Sequence, residues 1–141
     1  ENIVALKEAT GDMAFAARIV AACGPEFNLL SGDDVTAFPQ WCVGGRGVVS
    51  VTSNLLPGQM VEMWSRFSEN DWEVARRMHL RLVPLFDSLF IESNPVPVKS
   101  LVALNTGLCS QEVRLPLIPL QSSSWVELKS ICQRLEIGLN S

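Results

Sequence analysis

Ile3-Val4-Ala5-Leu6-Lys7 is an apolar run that closes on a lysine. The run is too short for a helix and reads as a buried strand. Thr10-Gly11-Asp12 follows, with Thr10 or Asp12 placed to cap a helix through Ala22 whose apolar face lies near Phe15, Ile19 and Ala22. Gly24-Pro25 stops that helix. The same order then recurs. A strand from Phe27 to Leu30 ends in Ser31-Gly32-Asp33-Asp34, and a short helix around Val35–Val43 is closed by Gly44-Gly45. A third strand, Gly47 to Thr52, runs into Ser53-Asn54. Strands apolar on both faces, each followed by a helix, indicate parallel strands joined by right-handed crossovers.

Beyond Pro57, which suits the first position of a helix, the pattern is helical only. Met60, Met63, Trp64 and Phe67 fit one amphipathic helix, as core or as a subunit contact. Ser68-Glu69-Asn70-Asp71 breaks it. Trp72, Ala75, Met78, Leu82 and Leu85 carry a second helix to about Phe90, with a disturbance expected at Pro84. Asn94-Pro95-Val96-Pro97 reads as a stiff turn before a helix over 98–105 that Gly107 ends. Leu115-Pro116-Leu117-Ile118-Pro119-Leu120 is apolar but unfit for a helix and should run extended. Ser122-Ser123-Ser124 should cap a last helix through Leu135, with Gly138 after it.

At 141 residues, 48% hydrophobic and 18% charged, the chain has the size of one domain and ample apolar surface to fold. Every apolar run is interrupted well short of the roughly 18 residues a membrane span needs. A net charge of −4 argues against a nucleic-acid partner, which calls for clustered Lys and Arg. Cys23, Cys42, Cys109 and Cys132 lie far apart, and His79, the only histidine, has no second ligand nearby in sequence, so no zinc site is expected. The expected state is four reduced, mostly buried thiols in a cytoplasmic protein with no leader before it. There is no tyrosine, and the chain starts abruptly without Met. Three parallel strands cannot bury both faces and both edges of their sheet, whereas a closed barrel has eight strands and about 250 residues. Part of the sheet is therefore expected to be missing.

Lys7 is the first candidate for chemistry. On the pleat, Ile3, Ala5 and Lys7 share one face, and Val4, Leu6 and Glu8 share the other. The C-terminal end of a parallel strand is where α/β proteins place active sites, and a lysine partly withdrawn from water is a better nucleophile toward a carbonyl. By spacing alone, a rim lysine reaching for water is the weightier reading. Gly32 permits close backbone approach to a ligand, while the acids after it suit helix capping better than catalysis. Gly44-Gly45-Arg46-Gly47 precedes a strand, the reverse of a nucleotide loop. His79, among Arg76, Arg77 and Arg81, suits a solvated or interface position.

Val4-Ala5-Leu6-Lys7-Glu8-Ala9-Thr10-Gly11-Asp12 resembles the Schiff-base strand of the dihydrodipicolinate synthases. Ser31-Gly32-Asp33-Asp34 resembles the end of their next strand, and Gly44 through Asn54 their last barrel strand. Asn94-Pro95-Val96-Pro97-Val98-Lys99 and Arg114-Leu115-Pro116-Leu117 are similar to their helical tail. The related N-acetylneuraminate lyases and keto-deoxy-sugar aldolases share the lysine but not these runs. The resemblance implies an α/β fold, a partial (β/α)8 TIM barrel with a C-terminal helical extension. Residues 1–56 would be its last three βα units, and 57–141 the closing helix and the extension.

It further implies that Lys7 condenses with pyruvate, that the backbone at Val49 contacts the bound pyruvate, and that Gly32 lies beside it. The enamine would then attack aspartate semialdehyde on the way to lysine and diaminopimelate, with no cofactor. The family's tyrosine relay, its carboxylate-binding arginine and its lysine feedback site belong to the first half of such a barrel. The expected partners are therefore that missing half and further copies, as a homotetramer, and the chain by itself is expected to be inactive. Two other readings stand beside this one. One is a non-catalytic half-barrel acting through association with another chain, and the other is part of another pyruvate-dependent aldolase or lyase of the same superfamily.

Overall fold

The computed structural model describes residues 2–139. Its elements run β1 (Ala5–Glu8), α1 (Met13–Cys23), β2 (Asn28–Ser31), α2 (Asp34–Cys42), β3 (Gly47–Val48), α3 (Pro57–Ser68), α4 (Trp72–Ser88), α5 (Val96–Thr106) and α6 (Ser122–Arg134). A 3-10 turn, Thr52–Asn54, precedes α3. The three strands form one parallel sheet in the order β1-β2-β3. This is the α/β architecture with parallel strands that the alternation predicts. Two compact units are present: residues up to Ser50 with Glu62–His79, and Val51–Val61 with Leu80 onward.

In the first unit the helix ends follow local chemistry. Asp12, not Thr10, caps α1 by accepting the Phe15 N–H at 3.0 Å. Gly24, at φ 85°, ends α1 in a conformation that favours glycine, and its N–H reaches the Val20 carbonyl. Asp33 caps α2, accepting from the Val35 N–H at 3.4 Å. The buried side of α1 is Ala16, with Ile19 and Val20 partly covered; Phe15 and Ala22 are exposed, contrary to the expected face. A small residue at the contact lets the helix approach the sheet closely.

The strands depart most from expectation. β1 is not buried: Ile3 is 80% and Val4 67% exposed, ahead of the strand, and of β1 itself only Glu8 is buried. Among the described strands it stands at one edge, and α1 and α2 pack against the sheet, whose residues Leu29 and Ser31 on one face are fully buried. β2 is shifted one residue along, and β3 stops at Val48. Beyond it the chain leaves the sheet and turns into the 3-10 segment, so Val49–Thr52 is not strand apart from the Val49 N–H, which still reaches the Ser31 carbonyl at 2.7 Å. High β-propensity in Val49 and Val51 does not hold a strand that lacks a neighbour to pair with.

Aromatic rings fill the space between α2 and the helices after it. Trp41, 2% exposed, meets Trp64 at 5.0 Å and Phe67 at 5.5 Å between centroids. Phe38 stacks on His79 at 5.6 Å. His79 is therefore buried, at 4% exposure, and not solvated as its arginine neighbours suggest. Those arginines project elsewhere on the helix: Arg76 and Arg77 pair with Glu73, whose carboxyl the Arg76 hydrogen bond holds below its ordinary range. Met60, Met63 and Ala75 are core, whereas Trp72 stays exposed and stacks flat on Phe67.

In the second unit Leu82, Leu85, Phe86, Leu89, Leu101 and Leu128 make the core. α4 continues through Pro84 and ends at Ser88, short of Phe90. α5 begins at Val96, with Pro97 in its first turn, earlier than the expected start at residue 98. Gly107, at φ 67°, closes it. Residues 115–120 are not simply extended, because a turn at Leu115-Pro116 is closed by the Leu117 N–H on the Arg114 carbonyl at 3.0 Å. Gln121 is the cap residue of α6, with no side-chain cap bond, so the three serines lie inside the first turn. The end of α6 is made by Glu136 at φ 59°, not by Gly138. Ile137 N–H bonds the Cys132 carbonyl and Glu136 N–H the Gln133 carbonyl.

Candidate functional site

Lys7, Gly32 and Val49 stand at the C-terminal ends of three adjacent strands. Lys7 pairs in register with Leu30, and the ladder continues past the strand ends through Gly32 N–H to the Glu8 carbonyl (2.5 Å) and Val49 N–H to the Ser31 carbonyl (2.7 Å). By the alternation of the pleat, Lys7, Leu30, Gly32, Gly47 and Val49 share one face of the sheet. On that face Lys7 is exposed and Val49 is 45% exposed. The expected partial withdrawal of Lys7 from water is therefore not seen among the described residues.

Gly32 is required by close approach, not by its backbone angle. A Cβ at this position would stand 2.9 Å from the Glu8 carbonyl oxygen and 2.9 Å from Lys7 Cε, and it would collide with the Ala9 Cβ. The lysine stem is thus laid across the backbone of the neighbouring strand end. The remainder of the Ser31–Asp34 run serves the turn. Ser31 Oγ donates to the Asp33 carbonyl at 2.8 Å and stands 3.0 Å from Thr36 Oγ1, and Asp33 caps α2. Gly45 brings the chain against the last turn of α2, with its N–H on the Gln40 carbonyl at 2.8 Å. Arg46 pairs with Glu26 at 3.3 Å, so the Gly44–Gly47 run is a connector between α2 and β3.

Behind the lysine lies a polar pair that sequence reasoning passed over. Glu8 is 2% exposed, on the helix-covered face. Its Oε1 accepts the Thr10 N–H at 2.6 Å, and Gln40 Nε2 donates to its Oε2 at 3.5 Å. The alternation that put Glu8 with Val4 and Leu6 already placed an acid on an apolar face, which was the available signal. Trp41, next to Gln40, donates its indole N–H to the Gly47 carbonyl at 3.1 Å and so ties α2 to β3. Nothing local in sequence announces that bond.

The thiols contribute no cluster. Cys23 and Cys42 end α1 and α2, Cys109 follows α5, and all three are exposed; only Cys132 is buried, and burial pushes its thiol up. The expectation of mostly buried thiols fails because helix ends and the loop after α5 face outward. Among the described residues no three His, Cys, Asp or Glu side chains gather as a metal site would require, and no helix is long and apolar enough to cross a membrane.

The model of the Dihydrodipicolinate synthetase family matches residues 1–135. The chain belongs to that family. It is 44% identical over 137 residues to 4-hydroxy-tetrahydrodipicolinate synthase of Citrifermentans bemidjiense, covering 97% of this chain and 47% of that protein. The solved 4-hydroxy-tetrahydrodipicolinate synthase of Methylacidiphilum fumariolicum SolV superposes with a TM-score of 0.91 at 44% identity, over 96% of this chain and 45% of that one. The chloride inhibited dihydrodipicolinate synthase of Acinetobacter baumannii, complexed with pyruvate, gives a TM-score of 0.90 at 34% identity, over 97% and 47%. The chain thus spans about half the length of the relatives it matches. The resemblance read from the Lys7 and Ser31–Asp34 runs is the family it belongs to.

Proposed function

We propose that this chain supplies the last three βα units (residues 1–56) of a (β/α)8 barrel, followed by its closing helix and helical extension (57–141). In this reading it carries the Schiff-base lysine of a dihydrodipicolinate synthase. The observation that carries the proposal is the lie of Lys7: at the C-terminal end of β1, across Gly32, on the sheet face that this chain leaves uncovered. That is the end of a parallel strand from which barrel enzymes act.

The chemistry follows from an amine at that place. Lys7 Nζ adds to the keto carbon of pyruvate and water leaves, giving an iminium that draws electrons from the neighbouring methyl carbon. Loss of a proton from that carbon yields an enamine, whose carbon bonds to the aldehyde carbon of aspartate semialdehyde. Attack of the product's own amino group on the iminium carbon then releases the lysine, closing the ring. Val49 and Gly32 contribute backbone at the adjoining strand ends, where the carboxylate of pyruvate would lie. The amine is its own electron sink once it is an iminium, so the steps draw on no organic cofactor.

With no tyrosine, the chain has no phenol to relay protons, and loss of a general acid–base costs about a hundredfold to ten-thousandfold in rate. The relay and the other face of the pocket would come from the first half of the barrel, and copies of the whole would associate as a tetramer. The test joins residues 1–141 behind the first half of the Citrifermentans bemidjiense relative. Borohydride in the presence of pyruvate should then add a reduced pyruvyl group to Lys7, and Lys7→Ala should abolish it. A chimera that fails to fold, or a Lys7→Ala variant that still traps pyruvate, defeats the reading.

A further inference from the structure

We propose that Glu8 is the positioning residue of the lysine strand, holding the backbone beside Lys7 through a staple on the opposite face of the sheet. The inference rests on the Schiff-base reading of Lys7. A carboxylate at 2% exposure is costly unless it is bonded, and an apolar residue would fill the same space at less cost. Its bonds therefore indicate what it does there. Oε1 holds the Thr10 N–H at 2.6 Å, closing a tight turn directly after the strand, and Oε2 faces the Gln40 amide of α2 at 3.5 Å. The Glu8 carbonyl meanwhile accepts the Gly32 N–H at 2.5 Å.

Glu8 is thus gripped through its side chain from the helix side and through its main chain from β2. The planar peptide joining Lys7 to Glu8 holds their Cα atoms at a fixed separation, so anchoring Glu8 limits where the root of the Lys7 side chain stands. A lysine amine at the end of a flexible stem attacks a carbonyl only from a narrow range of positions, and small misplacement at its root is carried to its tip. Both donors are neutral. Glu8→Gln keeps an oxygen for the Thr10 N–H, and its amide N–H can donate to the Gln40 oxygen, which is buried without a partner among the described residues, once the Gln40 amide turns over.

In the same chimera, with trapping by pyruvate and borohydride as the readout, Glu8→Gln should keep the trapping rate within about threefold and leave its pH midpoint unchanged. Glu8→Ala and the shorter Glu8→Asp should slow trapping at saturating pyruvate by about tenfold to a hundredfold, with the half-saturating pyruvate concentration little altered. Should Glu8→Ala not fold, Glu8→Asp carries the comparison, and failure of both to fold would make Glu8 a folding residue and overturn the proposal. Parental trapping rates in Glu8→Ala or Glu8→Asp alongside a lowered melting temperature would overturn it too. So would a Glu8→Gln variant as slow as Glu8→Ala with a displaced pH midpoint, since the charge and not the staple would then be acting. If the unsubstituted chimera traps no pyruvate at Lys7, the Schiff-base reading itself falls.

Discussion

At Gly32 the space that a methyl group would need is already occupied by the Glu8 carbonyl, Ala9 and the lysine stem. The lysine can swing aside, but the backbone of β1 cannot without breaking the ladder. Gly32→Ala should therefore lower the melting temperature, at a cost of about 1–3 kcal/mol typical of overpacking, and should also displace Lys7. Thermal denaturation followed by circular dichroism checks the first part, and trapping at Lys7 the second. Glu136 offers the opposite case. Its φ of 59° is a left-handed position at the end of α6, where a side chain is unfavourable by about 1–2 kcal/mol. Its ion pair with Arg81, at 3.6 Å and open to solvent, is worth little by comparison. Glu136→Gly should raise stability by about 0.5–1 kcal/mol, read as a higher denaturant midpoint at unchanged slope.

Among the elements, α2 couples the sheet to the aromatic layer. Trp41→Phe keeps a ring against Trp64 and Phe67 but deletes the N–H that holds the Gly47 carbonyl. Leaving that carbonyl without its donor should cost about 1–3 kcal/mol, and amide exchange at Val49 should quicken as β3 loosens. His79, on α4 against Phe38, gives a pH dependence of definite sign. Burial holds its imidazolium pKa below the ordinary 6.5, outweighing the hydrogen bond to the Val35 backbone and the nearby Asp34 carboxylate. The unfolded chain thus takes up this proton first as pH falls. Stability should decline from about pH 6.5 down to the lower folded value and then level off, with a slope of at most about 1.4 kcal/mol per pH unit. His79→Phe should flatten that limb of the melting curve while lowering the plateau, because Val35 loses its partner.

For the whole molecule, the uncovered sheet face and the β1 edge carry Ile3, Val4, Leu6 and Val49 in the open. A parallel sheet with one bare face and a bare edge is a template for association. The 141-residue chain alone should run on size exclusion above the position of a monomer, and shift to a defined complex when the first half of the barrel is supplied. A well-behaved monomer would contradict the proposed partial barrel and equally the half-barrel that acts through association. The large buried cluster around Leu82, Phe86, Leu101 and Leu128 should give the second unit its own cooperative melt.

Local patterns were legible from the residues themselves. The order of βα units, the presence of capping residues ahead of α1 and α2, the Gly24 and Gly107 ends and the opposed faces of Lys7 and Glu8 rest on contacts within a few residues and are legible from spacing, although it was the structure that chose Asp12 over Thr10 and Asp33 as the cap. The length of β3, the exposure of β1 and the burial of His79 depend on what lies alongside, and they were misread for that reason. The Glu8–Gln40 contact joins residues 32 apart, and Phe38 meets His79 from another helix. Such pairs carry no periodic signature. Where the lysine stands on its strand follows from the alternation of residues 3–8; which face is covered and what holds the backbone beneath it come from folding, because burial is settled by neighbours brought from afar.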